Sequence, residues 1–280
     1  MALLPLPLNR LLGACLGWVI WMLNGKQQRV TQINLTLCFP HMSRTDRARL
    51  ARASLMETGK LIAETAWIQK RSARQLAQLV DHVRFDELAL HARQSRQPII
   101  YAAPHLGNWE LGIFALAHNE PLTYFYSEPQ QRDKARTTVE GRAKLGGVSA
   151  TMDIAGIRQA LNSLKQGHSV AILPDQEPER ANGVFAPFFG ITANTQTLLP
   201  GLVQRTGALV IFGFMERLSW RQGWRLHYVA ADPEVYDSDK QKAAAAVNRS
   251  IETCVHICPE QYLWSYMRFQ LLPAGRVRVY

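Results

Sequence analysis

The chain has 280 residues, 47% of them apolar and 19% charged, so it is long enough to bury a sizeable core and too apolar for extended disorder. Its formal net charge of +10 favours an anionic partner: nucleic acid, a negatively charged membrane surface or an acidic protein. No run of five basic residues occurs and the signature of an RNA-binding sheet is missing, which argues against nucleic acid and for the other two.

The N-terminal stretch "LLGACLGWVIWML" (11–23) is apolar and flanked by Arg10, Lys26 and Arg29. A helix of that length reaches about 20 Å, against a bilayer core of roughly 30 Å. Pro5, Pro7, Asn9 and Arg10 weaken an extension towards the start of the chain. No small-residue cleavage site follows the apolar run, which argues against a removed signal peptide. Trp18 and Trp21 suit the headgroup region. Residues 1–25 are therefore expected to form a membrane anchor or an interfacial helix, with a buried core helix as the alternative.

Residues 26–96 read as a helical segment. Ser43 and Thr45 offer N-caps, and Leu50, Leu55, Leu61 and Ala66 recur at helical spacing, predicting a helix over 46–69. "VRFDELALHARQS" predicts a second helix. From residue 97 the pattern changes. "PIIYAAP", "PLTYFYS", "SVAILPD", "ALVIFGFM" and "WRLHYVAA" read as buried strands, with helices near 109–118, 132–145, 155–166, 195–206 and 239–257. Such alternation predicts an α/β fold with a largely parallel central sheet flanked by helices, one domain over 97–280.

The four cysteines, Cys15, Cys38, Cys254 and Cys258, are too few and too irregular for a disulfide scaffold and suit a reducing compartment. Cys254, His256 and Cys258 do not share one helix face and have no fourth ligand nearby, so core thiols are expected there and no metal.

His105 follows the strand "PIIYAA", just after Pro104. In open α/β sheets ligands bind beyond the carboxyl ends of strands, so His105 stands where a site would be. Asn108 is a good N-cap, which puts Glu110 in the first turn of the next helix. In one continuous helix His105 and Glu110 would lie about 140° apart. With a loop between them the carboxylate can fold back onto the imidazole, fixing its tautomer and stabilising the imidazolium formed on proton abstraction. The same spacing also fits a histidine bonded in a turn and a glutamate favoured by a helix N-terminus. A zinc site is a poorer match, because H-x4-E lacks the paired histidines of metalloproteases. Asp175 ends another strand, expected beside the first, and a polar loop leads on to Phe185, Phe188 and Phe189. That combination suggests a site polar at one end and apolar at the other.

Together these stretches resemble the bacterial lipid A late acyltransferases of lauroyl/myristoyl type, within the lysophospholipid acyltransferase group. "QINLTLCFPHMS" is similar to the family's N-L-x-x-C-F-P segment, "HLGNWE" to its H-x4-D/E motif and "EGRAKLGG" to its R-x3-G segment. "LPDQ" with "GVFAPFFGITANT" is similar to its D-Q and F-F-G-x-x-A-x-T block, and "PEQYLWSYMRFQLLPAG" to its C-terminal element. The resemblance implies a glycerolipid-acyltransferase-like fold at the bacterial inner membrane, with the catalytic domain on the cytoplasmic face. His105 would be the general base and Glu110 its orienting carboxylate, moving an acyl chain from acyl carrier protein to a hydroxyl of a lipid A precursor. Arg142, Asp175, Gln176 and Arg268 would hold substrate, phosphate or the oxyanion. Trp109, Phe185, Phe188 and Phe189 would line the acyl pocket. No cofactor or metal is implied, because the thioester carries the activation. Acidic acyl carrier protein and an anionic leaflet both suit the basic surface.

The C-terminal element departs from the family's W-x-H-K/R-R-F-K-x-R-P-x-G. Tyr266, Met267, Gln270 and Leu272 stand where His, Lys or Arg, Lys and Arg are typical. The acceptor expected from this strip is a differently phosphorylated lipid A precursor, or a less anionic lysophospholipid or aminolipid. The alternative is a neutral surface change. A non-catalytic membrane-bound lipid-binding protein is the competing reading from another class.

Overall fold

The computed structural model describes residues 3–81, 90, 92, 94, 97–126, 147–219, 222–275 and 278–280. Three helices lead: α1 (Leu6–Met22), α2 (Lys26–Cys38) and α3 (Arg44–Ile68), followed by the short α4 (Ala73–Ala77). Ser43 caps α3 by accepting from Asp46 N–H at 3.1 Å, as its place before the helix predicts. Most of the expected helix over 83–95, and the one over 132–145 with Arg142, lie outside the described residues.

Among the described residues the main sheet has seven strands. Its strands are β1 (Val80–Asp81), β2 (Ile99–Ala102), β3 (Leu122–Tyr126), β4 (Val148–Thr151), β5 (Ser169–Ile172), β8 (Leu209–Arg217) and β9 (Trp224–Ala230), in the order β1-β9-β8-β2-β5-β3-β4. Every pairing is parallel except β8 with β9. Helix α5 (Trp109–Asn119) follows β2, and α6 (Ile154–Lys165) follows β4. Helices α7 (Leu198–Thr206) and α8 (Lys240–Ile257) complete the layers. Alternate residues of one strand serve opposite cores. Ile100, Ala102, Val170, Ile172, Val210 and Phe212 pack in the core that includes α6, α7 and α8. Ile99, Tyr101, Ala171 and Ile211 pack with residues of α5 and the end of α3. Burial on both faces is why these strands read as continuous apolar runs.

Three features differ from the expectation. Edge strand β4, "VSAT", is mostly exposed and carries no apolar run to announce it. Residues 183–196 form an antiparallel hairpin, β6 (Gly183–Phe188) and β7 (Ile191–Gln196), where a loop and a helix start were expected. Helix α7 begins only at Leu198, because 191–196 is held by β6.

The N-terminal helix is built inside out. Its buried side consists of Leu6, Asn9, Arg10, Gly13, Ala14 and Gly17, whereas Leu8, Leu12, Trp18, Val19 and Met22 face outward, Trp18 at 47% exposure. Close approach explains the glycines. A Cβ on Gly17 would sit 2.1 Å from Leu55 O, and one on Gly59 2.1 Å from Gly13 O. Small residues at a helix crossing with large apolar ones outside are the arrangement of helices that meet lipid. No single described helix is long and apolar enough to cross a membrane; α1 and α2 pass that test only together and are bent by 84°. Gly17→Val is expected to destabilise the protein by about 1–3 kcal/mol through overpacking, lowering the thermal midpoint in detergent. Leu12→Ala, on the outward face, is expected to leave it nearly unchanged. An unaltered midpoint for Gly17→Val would show that α1 does not rest on α3 this closely.

Candidate active site

The parallel pairing of β2 with β5 sets Ala102 beside Ile172, so the chain leaves both strands at one edge of the sheet. His105 and Asp175 come together just beyond that edge, as their strand-end positions predict. Asp175 is 2% exposed, and its Oδ1 lies 2.7 Å from His105 Nδ1. Its Oδ2 accepts the backbone N–H of His105 at 2.8 Å. Burial acts to raise the Asp175 carboxyl, but the charge and hydrogen bonds of His105 outweigh it and hold the group below the ordinary carboxylate range. Ionised Asp175 therefore fixes the proton on Nδ1 and leaves Nε2 as the basic nitrogen. Tyr262 flanks the pair; burial and then the Asp175 charge push its phenol well above its ordinary range, so it stays protonated.

The turn carrying His105 is rigidly held. Leu263 N–H donates to His105 O at 3.0 Å, Gly107 N–H to Gln261 O at 3.1 Å and Asn108 N–H to Met215 O at 2.8 Å. Gly107 has φ +65°, and a Cβ there would lie 1.9 Å from Met215 O, so only glycine fits. Asn108 caps α5, its Oδ1 accepting from Leu111 N–H at 3.1 Å. Gln176 Nε2 stands 3.2 Å from His105 Nε2. With the imidazole proton on Nδ1, that amide donates to the basic nitrogen.

A cavity of about 310 Å³ opens at His105. Trp109, Ile113, Phe125, Met152, Ile172 and Leu173 give it apolar walls, with Gln176, Glu177 and Gln196 as its polar side. The Trp109 ring meets the imidazole edge-on at 4.9 Å. A larger groove of about 1060 Å³ lies at the opposite ends of β3 and β4, near Glu120, Leu122, Val148 and Arg158. His105 does not line it, and the smaller cavity is the one that opens on the His105–Asp175 pair.

The expected residues therefore divide. His105, Trp109, Asp175 and Gln176 converge. The orienting position at Nδ1, expected for Glu110, is taken by Asp175; Glu110 stands half-buried in the first turn of α5. Phe185, Phe188 and Phe189 are not among the described cavity walls. Phe188 is 1% exposed and packs against Phe189, Tyr262 and Phe269, while Phe189 adopts φ +48° at the hairpin tip with its N–H donating to Glu252 at 2.6 Å. Arg180 lies over the Phe185 ring. Arg268 is corrected from a substrate contact to a strut. It is buried, donates to Asn194 O at 2.7 Å and Thr195 Oγ1 at 3.1 Å, and lies over the Phe188 ring.

The divergent C-terminal strip clasps the site from outside. Tyr266 Oη accepts from Glu177 N–H at 2.9 Å, and the Glu177 carboxylate accepts from Leu271 N–H at 3.1 and 3.2 Å. Asn34 pins the strip by donating to Trp264 O and Tyr266 O, both at 2.7 Å, which gives the asparagine of the N-L-x-x-C-F-P segment a structural purpose. Cys254 and Cys258 are buried in the core, and burial pushes the Cys254 thiol up to about 12. His256 packs between Phe39 and Phe189.

A histidine held by a buried carboxylate at the carboxyl edge of a largely parallel sheet, opening on an apolar cavity, gives this α/β fold an arrangement suited to proton abstraction. The sequence pattern described as bacterial lipid A biosynthesis acyltransferase matches residues 1–271. The chain is 28% identical over 283 residues to the lipid A biosynthesis palmitoleoyltransferase of Escherichia coli (strain K12), covering 99% of this chain and 90% of that protein. It is 25% identical to the lipid A biosynthesis lauroyltransferase of the same strain, covering 97% and 88% of the two chains. With the myristoyltransferase of that strain it shares 24% identity, covering 95% and 82%. The chain belongs to the bacterial lipid A biosynthesis acyltransferase family, and its chemistry is O-acyl transfer.

Asp175→Asn keeps the shape but favours the wrong imidazole tautomer, and acyl transfer is expected to fall by about 10³–10⁴-fold. Because the folded carboxyl lies below its unfolded value, Asp175 contributes stability above about pH 4 that is lost as pH falls through the lowered folded value. Acid unfolding of Asp175→Asn should lack that part of the slope. Activity within about tenfold of wild type would remove Asp175 from the orienting role.

Proposed function

We propose that this protein transfers a fatty acyl chain from an acyl-carrier-protein thioester to a hydroxyl of a lipid A precursor, with His105 as general base. The observation that carries the reading is the Asp175–His105 pair at the mouth of the apolar cavity. The acceptor hydroxyl displaces the Gln176 amide from Nε2 and gives up its proton there as its oxygen attacks the thioester carbonyl. The tetrahedral intermediate collapses by expelling the carrier thiolate, which recovers the proton from the imidazolium, leaving an ester and a free thiol. Asp175 stabilises the imidazolium throughout. Gln176, released from Nε2, has its N–H groups free to donate to the developing oxyanion. Glu110 is placed as a second carboxylate near the base by the H-x4-E motif alone, and Arg142 as a phosphate or thioester contact by the R-x3-G segment alone. Trp109, Ile113 and Phe125 supply the acyl wall; each CH₂ buried there contributes about 0.8 kcal/mol, the basis for measuring chain length. No metal or organic cofactor enters these steps.

The catalytic domain is placed on the inner membrane at its cytoplasmic face, where acyl carrier protein is met. Supporting this are the outward apolar face of α1 and the basic residues Lys26 and Arg29, both exposed on α2. Replacing Leu12 and Trp18 together with serine is expected to reduce co-sedimentation with anionic vesicles severalfold while leaving the thermal midpoint in detergent unchanged. Equal vesicle binding would mean that another surface meets the lipid.

A second acceptor class is favoured by one observation. The strip bonded to Glu177 at the cavity rim carries Tyr266, Met267, Gln270 and Leu272 in place of basic residues, which suits a less anionic lysophospholipid or aminolipid. The deciding assay is transfer from acyl-carrier-protein thioesters by membranes containing the protein, read by mass spectrometry. A tetra-acylated lipid A precursor and a lysophospholipid serve as acceptors, with His105→Ala as control. Mass gain on the precursor alone, lost in His105→Ala, is the expected result. Gain on the lysolipid alone would transfer the proposal to that acceptor. Full activity of His105→Ala would remove the base from the mechanism.

A further inference from the structure

Glu64, in α3, takes no part in these steps, yet it is fully buried behind the His105 turn. Its Oε1 accepts from Arg10 Nε at 2.7 Å and from Arg217 Nε at 2.8 Å. Its Oε2 accepts from Arg217 Nη2 at 2.8 Å and from Asn108 Nδ2 at 2.9 Å. Glu57 takes Arg217 Nη1 at 2.6 Å and Lys60 Nζ at 2.5 Å, so two carboxylates face two guanidinium groups and one half-buried ammonium. Arg10 also donates to the carbonyls of Leu218, Ser219, Gln222 and Gly223, in the turn after β8. The two arginines thus reach Glu64 from α1 and from the end of β8. Burial acts to raise the Glu64 carboxyl, and Arg217 and Arg10 outweigh it, so the group is charged and in need of every donor.

Asn108 and Trp224, whose Nε1 donates to Glu64 Oε2 at 3.4 Å, are the uncharged members of this cluster, and Asn108 is the one next to His105 in the chain. It lies three residues after His105, and its side chain works at both ends. The oxygen caps Leu111, and the amide nitrogen donates to Glu64. Serine or aspartate would cap the helix equally well. Aspartate would set a second carboxylate against Glu64 and serine would have to do both tasks with one oxygen, whereas the asparagine amide caps with its oxygen and donates to Glu64 with its nitrogen.

We propose that Arg10, Glu64 and Asn108 form a positioning relay through which the seating of α1 fixes the turn that carries His105. The N-terminal helix is then part of active-site alignment as well as a lipid contact. The inference rests on the reading of His105 as the base. Its link is short: one carboxylate joins a guanidinium of α1 to the residue that closes the His105 turn.

The test uses the full chain in detergent micelles. Asn108→Ser keeps a capping oxygen but has no amide for Glu64. Arg10→Lys keeps the charge but replaces the planar fork with a single point donor. Both are expected to lower kcat about tenfold with KM within about twofold, since a small misplacement of a catalytic group acts on the chemical step. The double variant should be no worse than Arg10→Lys alone. A second readout needs no lipid: carbethoxylation of His105 by diethyl pyrocarbonate, followed on its peptide by mass spectrometry. It should accelerate severalfold in both variants, as the imidazole leaves Asp175 and Gln176. A purely structural role would lower the unfolding temperature and leave kcat per folded molecule and labelling at wild-type levels. Wild-type labelling in folded Asn108→Ser, or additive losses in the double variant, would overturn the relay. If Arg10→Lys does not fold, Asn108→Ser decides alone. Labelling also decides if no tested acceptor is acylated, which separates failure of the relay from failure of the acyl-transfer reading.

Discussion

Everything at the site follows from the in-register parallel pairing of β2 and β5. Parallel neighbours end at the same edge, so residues 70 positions apart in the chain, His105 and Asp175, meet without any local motif. The sheet supplies the precision. Both strands are buried on both faces, and alternate side chains lock into two separate cores. A shift of either strand by one residue would exchange every side chain between those cores and part the imidazole from its carboxylate.

The second constraint is electrostatic. The buried charges of Arg10, Glu64 and Arg217, with half-buried Glu57 and Lys60 beside them, are held together by geometry, because desolvation of a buried charge is large and only close pairing offsets it. Such a cluster resists partial assembly. Arg10 from the first helix, Glu64 from the third and Arg217 from the sheet must arrive together. The glycine-lined contact between α1 and α3 brings Arg10 within reach, and the large apolar side chains displaced from that contact are left on the outside. One packing solution thus sets both the interior charge balance and the character of the exterior.

The order of strands and helices was legible in the sequence because buried parallel strands are uninterrupted apolar runs. Edge strand β4 was not, since its side chains are largely exposed. The hairpin at 183–196 was hidden because its aromatics read as a loop approaching a pocket, whereas the inward-facing ones fill the core under Arg268. His105 and Asp175 could be found from strand ends, and Gln176 and Trp109 from the family resemblance. Which carboxylate holds the imidazole could not, because Glu110 is near in sequence and Asp175 is near only in space. Arg10 read as a flaw in an apolar helix, and Glu64 as one residue of an amphipathic one. The signal that was present is the position of a charge on a helix face otherwise made of small residues.

The Gln176 amide that rests on the basic nitrogen of His105 has a consequence for selectivity. A base whose lone pair is already engaged does not activate a passing water molecule. On the acyl-transfer reading, a loaded donor can wait in the cavity without being hydrolysed, because water brings too little binding energy to turn the amide aside. An acceptor lipid, bound over its whole length, does bring it. The same side chain that attends the oxyanion during transfer would then guard the thioester before it, making wasteful hydrolysis slow by default.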